Sequence, residues 1–155
     1  EIGHIKLQMN GGPLCGCGDE GCLEAFASGP SIVAMAEEYI KGGKSAKFRE
    51  IANGAPITPF IVCKAANAGD PVAQRIFSKM GEYIGFGMAS VVNLLNPEKI
   101  IVGGGVADAG DYLLAPMKEM LKKRAMKIAG SAVEIVPAEL GNTAGVIGAS
   151  LLIES

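Results

Sequence analysis

The chain has 155 residues, 49% hydrophobic and 19% charged, a balance that excludes a disordered segment and suits one domain burying about 70% of its unfolded surface. A net charge of -2 and a pI near 5.5 leave no electrostatic footprint for nucleic acid or an anionic membrane. The longest apolar run, Ile84 to Leu95, is interrupted by Asn93 and is too short to span a bilayer.

At the start, Ile5 and Leu7 alternate with Lys6 as in a strand. An ideal strand would put Glu1 and His4 on opposite faces, so both reach one site only if the backbone bends at Gly3. Asn10 to Pro13 is turn chemistry. It leads into Cys15-Gly16-Cys17-Gly18-Asp19-Glu20-Gly21-Cys22-Leu23-Glu24, which holds three of the four cysteines, with the single histidine, His4, eleven residues before Cys15. Three thiols at C-x-C-x4-C spacing and one imidazole make a complete ligand set for a closed tetrahedral zinc site. The intervening glycines let the backbone turn the sulfurs inward. A structural zinc would contribute on the order of 10 kcal/mol of apparent folding free energy; the alternative is a set of unliganded thiols. Gly16, Gly18 and Gly21 also satisfy G-x-G-x-x-G, but no strand precedes them and no ordinary helix follows at once, so a dinucleotide fingerprint is rejected. Cysteines clustered as ligands, with Cys63 left over, fit a reducing cytoplasm better than a disulfide scaffold.

Downstream, the pattern predicts a short helix over Leu23 to Ala27 carrying Glu24, and a second over Ser31 to Ile40 with Ile32, Met35, Ala36 and Tyr39 as its core stripe. Lys41 to Ser45 resembles a phosphate loop only superficially, because Glu38 stands where its first glycine belongs. Lys44 to Pro56 carries no assignment. Thr58-Pro59 caps a helix to about Ala68, and Asp70-Pro71 opens the longest helix, striped by Val72, Ile76, Met80, Ile84, Met88 and Val92. Gly81, Gly85 and Gly87 weaken that helix unless they admit a close neighbour. Asn96-Pro97 ends it.

Lys99 to Val102 reads as a β-branched strand, followed by Gly103-Gly104-Gly105. A glycine run at the carboxyl end of a strand in an open α/β sheet lets backbone amides approach a ligand; the plain alternative is a turn for chain reversal. Asp111 to about Ala129 reads as one amphipathic helix with Lys118, Lys122, Lys123, Arg124 and Lys127 in its second half, a solvated face complementing the helix dipole. A strand over Ala132 to Val136 and a small-residue helix over Ala144 to Ile153 complete an α/β alternation.

The pairing of Glu1-Ile2-Gly3-His4 with the Cys15 to Glu24 string closely resembles the signature of the ROK family, which contains bacterial sugar kinases and sugar-responsive repressors. Ile100 to Ala107 resembles the family's adenosine-binding segment and Gly141 to Ala149 its terminal segment. The resemblance thus spans essentially the whole chain, with its most specific motifs before residue 25.

The resemblance implies zinc on His4, Cys15, Cys17 and Cys22, sugar contacts from Glu1, His4 and Glu24, and nucleotide, as ATP with magnesium, at Gly103, Gly104 and Gly105. Residue chemistry agrees. An ionised carboxylate accepts from two sugar hydroxyls at once, and a histidine with one nitrogen on zinc keeps the other N–H as a fixed donor. Without the resemblance, Glu1 and Glu24 would read as ordinary solvated carboxylates. The implied fold is a ribonuclease-H-like lobe of the actin and hexokinase type, with residues 4–22 as an inserted zinc-binding loop. The family's D-x-G-x-T phosphate loop and its aspartate base would precede residue 1. Residues 1–155 therefore read as the carboxy-terminal lobe of a cytoplasmic ATP-dependent hexose kinase, glucose being the leading sugar. The amino-terminal lobe and the catalytic base lie elsewhere, and the isolated chain is expected to be inactive. The family also implies a homo-oligomer. The rival reading is the effector domain of a sugar-responsive repressor, with a DNA-binding helix-turn-helix upstream.

Overall fold

The computed structural model describes residues 1–44 and 47–152. It opens with a 3-10 turn, Ile2–His4, where alternation had suggested a strand. With three residues per turn, positions i and i+3 eclipse, so Glu1 and His4 share a side without any special bend at Gly3. Lys6 keeps one strand-like feature, an isolated antiparallel bridge to Cys22.

Two helices follow the cysteine loop, α1 (Leu23–Phe26) and α2 (Gly29–Lys41). The second begins ahead of the expected Ser31 because Ser28 and Ser31 close a reciprocal capping box, with Pro30 in the first turn. Helix α3 (Lys47–Ala52) lies in the stretch that carried no assignment. Helix α4 (Pro59–Asn67) starts at Thr58, whose Oγ1 accepts from the Ile61 amide at 3.3 Å. Helix α5 (Pro71–Leu95) starts at Asp70, whose Oδ1 accepts from the Val72 and Ala73 amides at 2.9 Å each. Asn96, at φ 46° in the left-handed region, ends it.

The second half of the chain alternates β1 (Lys99–Val102), α6 (Asp111–Arg124), α7 (Lys127–Ala132), β2 (Glu134–Pro137) and α8 (Ala144–Leu151). The expected single helix from Asp111 to Ala129 is two. Ala125 turns extended after Arg124, and the Asn93 side chain accepts from the Met126 amide at 2.7 Å, giving that donor a partner outside the helix. Lys127 consequently belongs to the following helix. Ser45 and Ile153, which bounded two of the sequence segments, lie outside the described residues.

The strands β1 and β2 pair in parallel, Lys99 with Glu134 through Val102 with Pro137. The chain is α/β. Two apolar clusters stabilise it, one uniting Ile32, Phe48, Val62, Ile76, Phe77 and Leu113, the other gathering Val92, Met117, Leu121 and Ile135 between α5, α6 and β2. Glycine decides how closely α5 and α6 approach. A methyl at Gly81 would overlap the Leu113 carbonyl, and one at Gly85 the Met117 carbonyl. Gly87 accepts the Leu23 side chain, which anchors α1, and with it the cysteine loop, on the long helix.

Candidate metal and sugar site

Backbone hydrogen bonds build the cysteine loop. The Cys15 amide donates to the Asp19 carbonyl at 2.7 Å and the Gly18 amide to the Cys15 carbonyl at 3.0 Å, a tight turn with Gly18 at φ +90°. The Leu7 amide donates to Gly21 at 2.8 Å and the Leu23 amide to Ile5 at 2.8 Å, so the strand-like segment after His4 is laced to the last cysteine. Gly21 sits at φ +74°, where a methyl would collide with the Gln8 carbonyl.

This lacing brings His4, Cys15, Cys17 and Cys22 together, their ligand atoms all within 4.8 Å of one another. Zinc at about 2.3 Å from sulfur and about 2.0 Å from nitrogen would give tetrahedral edges of about 3.8 Å between sulfurs and about 3.5 Å between sulfur and nitrogen. The Cys17 and Cys22 sulfurs are 3.8 Å apart, and Cys15 Sγ lies 3.6 Å from His4 Nδ1. The residues fit the ion in number, kind and spacing. Cys15 and Cys22 are buried and Cys17 is exposed.

Charges around the thiols are asymmetric. Lys6 Nζ lies 2.5 Å from Asp19 Oδ2, 2.6 Å from the Glu20 carbonyl and 3.5 Å from Cys22 Sγ. The ion pair holds the Asp19 carboxyl below its ordinary pKa and the Lys6 ammonium above its own. The Cys17 thiol is shifted down, first by a hydrogen bond from the Asp19 amide. Burial, and then the neighbouring thiols, push the Cys22 thiol up. Metal binding would override that last effect by deprotonating the ligand outright.

With Nδ1 turned to the thiols, the other ring nitrogen of His4 faces outward. Nε2 lies 3.6 Å from Glu1 Oε2. Glu24, on α1, packs over Gly3, where an added Cβ would come within 3.1 Å of its carboxylate oxygen. Glu1 thus lies beside the outer ring nitrogen of His4, and Glu24 beside the preceding residue, Gly3. A cleft of about 380 Å³ runs alongside, lined by Leu14, Cys15, Gly16, Glu24, Ser28 and Ser31 among others. A larger cleft of about 640 Å³ lies between α2 and α5, against Met35, Tyr39, Arg75 and Tyr83. Its lining includes none of the candidate metal-ligand, candidate sugar-site or glycine-turn residues.

Gly103 to Gly105 leave the carboxyl end of β1, with Gly104 at φ +81° and open space where its side chain would stand. Gly103 lies against Ala138, which follows β2. A second glycine turn, Gly141–Thr143, succeeds that strand. Both parallel strands therefore lead into glycine turns at one edge, where α/β sheets bind ligands, and Gly103 to Gly105 are exposed there. Sequence reasoning named both glycine segments; that they leave paired parallel strands is seen in the structure. Lys6 and Asp19 escaped sequence reasoning, because they meet through the fold of the loop and belong to no linear motif.

The sequence profile of the ROK family matches residues 1–155. A glucokinase of Halalkalibacterium halodurans is 39% identical over 155 residues, covering 99% of this chain and 47% of the relative. The DNA-binding transcriptional repressor Mlc of Escherichia coli is 31% identical over 152 residues, covering 98% of this chain and 36% of the relative. Among solved structures, a ROK family glucokinase from Streptomyces griseus in complex with glucose and AMPPNP superposes with a TM-score of 0.83 at 33% identity, over 98% of this chain and 50% of that one. The chain spans half or less of the length of each of these relatives.

Proposed function

This chain belongs to the ROK family, and from that premise we propose that it is the sugar- and nucleotide-contacting carboxy-terminal lobe of an ATP-dependent hexose kinase, with glucose the first candidate sugar. The observation that carries the reading is the convergence of Glu1, His4 and Glu24 beside a four-ligand metal set. His4, Cys15, Cys17 and Cys22 would hold the zinc, which would be structural because four protein ligands leave no open position. Its contribution is rigidity and a fixed histidine tautomer. His4 then presents Nε2–H as a donor, while Glu1 and Glu24 accept from neighbouring hydroxyls in charge-assisted bonds.

Phosphoryl transfer is catalysed chiefly by positioning and electrostatics. In this reading Glu1, His4 and Glu24 orient the sugar for in-line attack, and the amides of Gly103 to Gly105 approach the nucleotide, ATP with magnesium. The general base and phosphate loop belong to the amino-terminal lobe of the kinase. The AMPPNP and glucose bound by the Streptomyces griseus relative support the choice of ligands. The lobe architecture is of the actin and hexokinase type, and the working assembly is a cytoplasmic homo-oligomer. Among the described residues no helix is long and apolar enough to cross a membrane.

The similarity to Mlc supports a second reading, a sugar-sensing effector domain of a repressor. The deciding experiment is ATP consumption by the intact protein against hexoses and acetylated amino sugars, with Glu24→Ala as control. Turnover on one sugar, lost in the variant, is the kinase result. Saturable sugar binding without turnover on any sugar is the repressor result.

A further inference from the structure

We propose that Lys6 is a positioning residue for the metal-bound thiolates, compensating their charge by donating to Cys22 and held there by Asp19. The proposal rests on reading His4 and the three cysteines as the zinc ligands. Neither Lys6 nor Asp19 belongs to that set.

Geometry carries it. An ammonium has three donors, and three acceptors surround Lys6 Nζ: Asp19 Oδ2 at 2.5 Å, the Glu20 carbonyl at 2.6 Å and Cys22 Sγ at 3.5 Å. Lys6 and Cys22 are bridged through their backbones, which fixes the register from which the side chain reaches the sulfur. Asp19 is oriented in turn, its Oδ1 accepting from the Glu20 amide at 2.8 Å. Cys22 is only 1% exposed, so water gives its sulfur little solvation and Lys6 is its cationic donor.

Charge balance gives the arrangement a purpose. Three thiolates, a neutral imidazole and a divalent ion sum to one negative charge; the Lys6 ammonium sets its positive charge against the buried Cys22 sulfur, while the Asp19 carboxylate on its far side leaves the whole cluster at one negative charge. A hydrogen bond to a coordinated thiolate lowers its lone-pair energy, so the sulfur becomes a poorer nucleophile toward alkylating agents and keeps its metal longer. Partners outside the ligand set commonly change metal affinity by about 10–100-fold.

The test uses the intact protein loaded with zinc or with cobalt, as wild type, Lys6→Met, Lys6→Arg and Asp19→Asn. Lys6→Met keeps the aliphatic stem and removes the cation. Expected are zinc release by N-ethylmaleimide at least about tenfold faster than wild type, affinity in chelator competition weaker by about 10–100-fold, and a thiolate-to-cobalt charge-transfer band moved to lower energy. Lys6→Arg restores the band and the release rate, and Asp19→Asn falls between. If Lys6→Met alters only the melting temperature, with release rate and band unchanged, the residue is merely structural and the proposal fails. If the wild type takes up neither metal, the zinc reading fails and takes this proposal with it. A metal-loaded wild type matched by Lys6→Met overturns the Lys6 proposal alone.

Discussion

The sulfur of Cys15 lies 3.6 Å from Nδ1 of His4, and that contact leaves the opposite ring nitrogen facing Glu1 at 3.6 Å. One imidazole thereby joins two kinds of chemistry, thiols on its inner edge and a carboxylate on its outer edge. A metal that fixes the ring also fixes the donor offered to a polar ligand.

Removing the metal should therefore destabilise the protein. Because apparent zinc binding contributes on the order of 10 kcal/mol in small structural sites, incubation with a strong chelator should lower the melting temperature by many degrees, and added zinc should restore it. Cys15→Ser should melt near the chelated wild type and respond little to chelator. Scanning calorimetry of these five samples checks this.

Gly81→Ala and Gly85→Ala should each destabilise the chain despite alanine's higher helix propensity. Propensity gains at most about 1 kcal/mol, whereas the new methyl overlaps the carbonyl of Leu113 or Met117, and forced overpacking typically costs about 1–3 kcal/mol. Gly42→Ala, at φ -77° and with ordinary contact distances, should be close to neutral. Urea unfolding midpoints distinguish the three.

Asp70 is only 3% exposed and accepts from two amides that open α5. Replacing it by alanine removes a helix cap at a buried position and should cost about 1–2 kcal/mol. Hydrogen exchange should quicken first at Val72 and Ala73.

Burial, followed by the nearby Asp108 carboxylate, raises the pKa of Cys63. The folded chain therefore holds this proton more tightly than the unfolded one. Its contribution to stability is complete below the unfolded thiol pKa of about 8.5 and declines as pH rises from there through the folded value. Two outcomes follow: Cys63 should resist iodoacetamide at pH 7 until the protein is unfolded, and Cys63→Ala should lessen the loss of stability above pH 9. Mass spectrometry of the alkylated peptides and unfolding at several pH values check them.

Legibility in the sequence followed the range of the interactions. The clustering of the candidate metal ligands was readable because three of them lie within eight residues, and Thr58 and Asp70 were readable because caps act over three positions. The stripe from Val72 to Val92 gave α5 and its buried face. Helix α3 was missed: it is six residues long, and what secures it is the complete burial of Phe48 against distant helices. The break after Arg124 was missed because the acceptor for the Met126 amide, Asn93, lies 33 residues earlier. The turn at Ile2–His4 mimicked a strand through the Ile5 and Leu7 alternation beyond it, and the spacing of Glu1 and His4 was the better guide. Lys6 and Asp19 were invisible as a pair, since only the closed loop makes them neighbours.

Glucose titration into the zinc-loaded intact protein and its Glu24→Gln variant, with bound zinc counted in both, tests the sugar site most sharply. One zinc per chain is expected in each, with sugar affinity in the variant reduced at least about tenfold, since hydrogen bonds to a charged acceptor contribute about 1.5–3 kcal/mol. Glucose binding of equal affinity in the two proteins would rule out Glu24 as a sugar contact.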